Sequence, residues 1–211
     1  MLENFDARLK FGLPAAVVVY AFSVAISQRP LAALILVLSW VAALVLGVRA
    51  KRIWLSLQGY QVLRSSCSDR WSHGFLAAAV IVFSLATVAN FDIGTVALIF
   101  SVGSNIFYAA GKLGCSVFGC CQLRSHGVAL DLPRIEAATC LIACVLALPL
   151  AAYGSSAAGV FVSAGVYAVV RGTSVVLRHQ GREALNIVDP LIALLLVGHA
   201  SMTRMLDAAA Y

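Results

Sequence analysis

The run Gly111-Lys112-Leu113-Gly114-Cys115-Ser116-Val117-Phe118-Gly119-Cys120-Cys121 sets a cation, three glycines and three cysteines at the end of a long apolar segment. An ammonium at membrane depth is expensive, and such a residue is a functional candidate by default. Glycine lets another group come close to the backbone. Cys115, with the Lys112 charge beside it, is a candidate nucleophile. A small-residue packing face with thiols acting as small hydrophobes accounts for the glycines and cysteines, but leaves Lys112 unexplained.

Other polar residues interrupt the apolar runs. His73 opens one in Ser72-His73-Gly74, where it either caps a helix or transfers a proton near neutral pH. Arg171 lies in the middle of another, with Tyr167 one turn before and Arg178 about two turns after. An arginine at that depth faces protein or a polar cavity. Its guanidinium suits either an ion pair with Glu136 or the forked recognition of a phosphate. Glu136 itself stands at the start of an apolar run, where a carboxylate also favours a helix N-terminus.

The rest of the chain must place these groups in a bilayer. Of 211 residues, 62% are hydrophobic and 11% charged, against about a quarter charged in soluble domains. The net charge of +6 therefore bears on topology and anionic headgroups. No basic run is interleaved with aromatics, which argues against a nucleic-acid partner. The first ten residues alternate acids and bases without a small-residue cleavage site, unlike a removable signal peptide.

Seven apolar segments follow, each near the roughly 20 residues a spanning helix needs. They run from Phe11 to Ser27, Leu31 to Val48, Gly74 to Ala89, Ile93 to Phe118, Ile135 to Tyr153, Ala158 to Leu177 and Leu185 to Met202. The stretch from Arg49 to Ser72 is basic and mixed, with Ile53, Trp54, Leu57, Tyr60, Gln61 and Arg64 at helical spacing, and reads as an interfacial amphipathic helix or a solvated loop. No linker, low-complexity segment or repeat divides the chain. The expected architecture is an all-α polytopic bundle of about seven transmembrane helices plus one interfacial helix, in a single membrane domain covering residues 1–211.

The loops sort by charge. Arg8, Lys10, Arg49, Lys51, Arg52, Arg64, Arg70, Arg124, Arg134, Arg178 and Arg182 share one face, and the other holds little beyond Arg29 and Arg204. All six cysteines fall on or near the basic face. None has a convincing metal spacing: Cys120 and Cys121 are adjacent, and no CxxCH haem motif is present. No metal or other cofactor is implied. Cys140 and Cys144 lie one helical turn apart in an apolar run and read as packing.

Four of these segments resemble, in order, the prolipoprotein diacylglyceryl transferase family. Ser72-His73-Gly74 is similar to the family's His-Gly-Gly at the start of a span. Residues 111–119 resemble its signature Gly-Arg-x-Gly-Asn-Phe-x-Asn-Gly. Leu132-Pro133-Arg134-Ile135-Glu136-Ala137 resembles its Pro-x-x-Tyr-Glu-Ala segment, one residue short, and Tyr167-x-x-x-Arg171 with Arg178 has the spacing of its Tyr-Gly-x-x-Arg helix. The chain departs at Lys112 (arginine in the family), at Cys115 and Phe118 (asparagines), at Val175 (glutamate) and at Leu98 (aspartate). The likeness runs from the third span to the end.

The resemblance implies a multi-pass protein of the bacterial cytoplasmic (inner) membrane that moves diacylglyceryl from an anionic, phosphatidylglycerol-like phospholipid to the cysteine thiol of a protein or peptide acceptor. Lys112 and Arg171 would hold the lipid phosphate, His73 would accept the thiol proton and Glu136 would orient a cation. Gly111, Gly114 and Gly119 would admit the headgroup, with Tyr167 and Arg178 alongside. His73, Lys112, Glu136 and Arg171 are thus expected to line one cavity open to the basic face. The alternatives are a non-catalytic, lipid-binding subunit of a membrane complex and a thiol-redox membrane protein. Charge counting puts the basic face in the cytoplasm, whereas the family's signature face meets substrates that have crossed the membrane. The family orientation, N-terminus outside, is the expectation adopted.

Overall fold

In hydrocarbon every backbone N–H and C=O must be paired within its own segment, so apolar runs of this length fold as helices. The computed structural model describes residues 2–57, 71–117, 123–125, 128–153, 155–177 and 188–209. Within them are α1 (Leu2–Ser27), α2 (Pro30–Leu57), α3 (Trp71–Val88), α4 (Ile93–Val117), α5 (Leu132–Tyr153), α6 (Ser156–Leu177) and α7 (Val188–Ala209). A short antiparallel ribbon, β1 (Leu123–Ser125) with β2 (Val128–Leu130), lies between α4 and α5. The protein is an all-α helical bundle, and six helices are long and apolar enough to cross a membrane. The apolar part of α7, Val188–Met202, is shorter.

α4 is the axis of the bundle. Its span is 83% buried, against 17–50% for the other five. It packs on α1, α3, α5, α6 and α7. From α2, Trp40 stacks on Phe100 with ring centroids 4.9 Å apart and meets Phe107 edge-on. Phe75 of α3 joins Phe100 and stacks on Tyr167 of α6 at 5.2 Å. One core cluster draws on all seven helices.

Two glycines make these approaches possible. A methyl at Gly103 would fall 2.5 Å from the Trp40 ring, and one at Gly47 would fall 2.7 Å from Gly74 Cα. The α2–α3 crossing is therefore backbone against backbone, the usual use of small residues in membrane bundles. At the end away from the basic loops, Asn90 takes a left-handed conformation (φ 51°) to close α3. Asp92 then caps α4, its carboxylate accepting the Thr95 N–H at 2.7 Å.

The element bounds differ from the expectation in two places. α1 begins at Leu2, because no breaker separates the polar first residues from the apolar run. The stretch read as an interfacial helix is divided: residues 49–57 continue α2 without interruption, residues 58–70 lie outside the described residues, and Trp71 and Ser72 open α3. No proline stands between Gly47 and Leu57 to end α2. α7 is described from Val188, with Pro190 in its first described turn, and the expected start at Leu185 lies outside the described residues.

Candidate functional site

Two buried ion pairs lie where the C-terminal ends of α4 and α6 meet the N-terminal ends of α5, α7 and α3. In the first, Lys112 Nζ of α4 is 2.7 Å from Glu136 Oε2 of α5, with the side chains 6% and 5% exposed. The ammonium also lies over the Tyr108 ring, 4.8 Å from its centroid, a cation–π contact one helical turn back. Cys115 is buried one turn further along α4.

In the second pair, Arg171 Nε of α6 donates to Asp189 Oδ2 of α7 at 2.6 Å, and neither side chain has any exposure. The remaining bonds close a network over three helices. Arg171 Nη2 donates to Ser72 Oγ at 3.0 Å, and Ser72 donates to Asp189 Oδ1 at 2.8 Å. Tyr167 donates to Asp189 Oδ2 at 3.1 Å and accepts from Trp71 Nε1 at 2.6 Å. Both carboxylate oxygens are used, which is what a charge needs to remain ionised away from water.

Tyr108 joins the two pairs. Its ring carries Lys112 on one side and meets Trp71 and Tyr167 edge-on, each at 5.5 Å. Tyr108 therefore touches Lys112 directly and reaches the Arg171–Asp189 network through Trp71 and Tyr167. Nearer the end of α4, Ser116 donates to Asp131 Oδ2 at 2.7 Å, and Arg134 Nε reaches the same oxygen at 2.9 Å. Arg134, one of the cations counted on the basic face, is thus paired with Asp131.

Of the site residues named from the sequence, Lys112, Glu136, Cys115, Tyr167 and Arg171 are gathered at this end. His73 is half-buried next to Ser72 at the start of α3. Gly111 faces open space, and Gly114 has only Phe11 near it, at 3.9 Å from an added methyl. Gly119 and Arg178 lie outside the described residues, as do Cys67, Cys120 and Cys121.

One expectation is corrected: the carboxylate that pairs with Arg171 is Asp189, and Glu136 is taken by Lys112. Asp189 is the functional candidate that the charge scan of the apolar runs leaves out. Asp189-Pro190 ahead of an apolar run is a helix-start signal, and a carboxylate there deserved the same reading as Arg171. Below the network, Asn105 on α4 donates from Nδ2 to two carbonyls, Ser101 O at 2.9 Å and Ser163 O at 2.8 Å. Ser101 and Ser163 hydroxyls pair at 2.7 Å. Thus α4 and α6 face each other along a polar seam that a scan for charges does not reveal.

No family model, characterised protein or solved structure matches this chain.

Proposed function

We propose that this protein is a membrane-embedded transferase acting on a phospholipid with an anionic, phosphatidylglycerol-like headgroup, in the bacterial cytoplasmic membrane. The observation that carries the reading is the Lys112–Glu136 pair, 2.7 Å apart and buried at the end of α4, with the Cys115 thiol one turn away. Removing two charges from water costs several kcal/mol per ion, so such a pair is poor as a stability device. It is useful as a preorganised charge for a reaction that develops negative charge on a phosphate.

The reaction moves diacylglyceryl to a thiol. The acceptor sulfur attacks the glyceryl carbon, an S–C bond forms, and the C–O bond to phosphate breaks. Glycerol phosphate leaves with the electron pair. His73 takes the thiol proton, and Lys112 stabilises the phosphate charge while Glu136 orients the ammonium. The acceptor is a cysteine-bearing peptide or protein, with Cys115 as the alternative nucleophile within the chain. Arg171, with Nε and Nη2 committed to Asp189 and Ser72, serves as a positioning residue.

The charge compensation of both cations favours a second reading, a non-catalytic lipid-binding subunit of a membrane complex. Incubating the purified protein in vesicles with headgroup-labelled phosphatidylglycerol and a cysteine peptide separates the two. Released glycerol phosphate that disappears in Lys112→Ala supports the transferase. Phospholipid that co-purifies but does not turn over, with every acceptor tried, sinks it in favour of the subunit.

A further inference from the structure

Several helix hydroxyls in this bundle turn back onto their own backbone: Ser23, Thr87, Thr139, Thr173 and Ser201 each donate to a carbonyl four residues earlier, at 2.7–2.9 Å. Ser104 does not. Its residue is 3% exposed and its Oγ has no hydrogen-bond partner among the described residues. It lines a small internal space where α3, α4, α6 and α7 meet, bordered by Phe75, Ser101, Ala164, Tyr167 and Ala193. The space is close to the minimum needed for about one water molecule.

A second polar wall is available. Ser163 Oγ donates to Gly159 O at 2.7 Å, so the Ser101–Ser163 contact takes the Ser101 proton and leaves a Ser101 lone pair free. We propose that this space is a binding site for a single water molecule, bonded to Ser104 Oγ and donating to Ser101 Oγ. A buried hydroxyl without a partner is costly, and a bridging water with two to four polar contacts is the ordinary remedy. Both of its partners are on α4, and the water sits against Ala164 of α6 and Ala193 of α7. It lies next to Tyr167, whose hydroxyl binds Asp189.

The test uses the full chain in lipid bilayers and needs no activity assay. Magnetisation transfer from water to carbon-labelled serine reports a water bound at Ser104, and thermal unfolding is read for Ser104→Ala and Ala193→Val. A bound water gives transfer at Ser104 that Ala193→Val abolishes by filling the space. Ser104→Ala then lowers Tm by about 2–4 °C, the size expected for one lost hydrogen bond. Absence of transfer at Ser104 overturns the proposal. So does a Tm for Ser104→Ala that is unchanged or raised, because deleting a dry, unpaired hydroxyl removes a desolvation cost.

Discussion

Asp189 Oδ2 accepts from both Arg171 Nε at 2.6 Å and the Tyr167 hydroxyl at 3.1 Å, so one oxygen ties α7 to α6. Ser72 adds α3 through the other oxygen. With neither ion exposed, removal of either leaves an uncompensated charge in the bundle. Asp189→Ala is expected to destabilise by about 3–5 kcal/mol, read as a lowered midpoint of thermal unfolding in detergent. The double variant Arg171→Met with Asp189→Leu should regain most of that loss, since an apolar pair of similar volume needs no partner. A double variant no better than Asp189→Ala would show that the network matters for its hydrogen bonds and not for its charges.

The Lys112–Glu136 pair allows a complementary measurement. Lys112→Glu and Glu136→Lys should each be destabilising, and the exchange of both should recover part of the stability. Recovery will be incomplete, because the ammonium moved to position 136 no longer lies over the Tyr108 ring. A double-mutant cycle reads the coupling directly, and a coupling near zero would contradict the 2.7 Å contact.

Glycines at two positions of α4 should behave oppositely. Gly103→Ala places a methyl against the Trp40 ring and should cost about 1–3 kcal/mol with a change in tryptophan fluorescence. Gly111→Ala meets nothing within 4 Å and should leave stability unchanged or slightly higher. If Gly111→Ala folds normally yet loses phosphatidylglycerol turnover, Gly111 is there for the headgroup. Unchanged turnover would remove it from the site.

If α7 crosses together with the six longer helices, the two chain ends lie on opposite sides of the membrane. Reporter fusions before Met1 and after Tyr211 should therefore respond oppositely. In the orientation adopted here, the reporter after Tyr211 works in the cytoplasm. The reverse result keeps the bundle but puts the Lys112 end at the cytoplasmic face, against acceptors that have already been exported. Equal responses at both ends would mean that α7, with its shorter apolar part, does not span.

Much of this was legible in the sequence because membrane helices are decided locally. A run of apolar residues has no other way to satisfy its backbone in hydrocarbon, so the helices could be placed from hydropathy alone. Lys112, Glu136 and Arg171 could be singled out for the same reason, since a charge in such a run is conspicuous wherever the helix packs. Their partners could not. Whether Arg171 meets Glu136 or Asp189 depends on how α5, α6 and α7 are rotated about their axes. That rotation is set by contacts between helices, such as Gly159 of α6 against Leu98 of α4 and Ala147 of α5. The sequence determined which side chains are too costly to leave in lipid. Only the tertiary structure decided that Tyr108 stands between two ion pairs, because that requires three helix faces to meet at one ring.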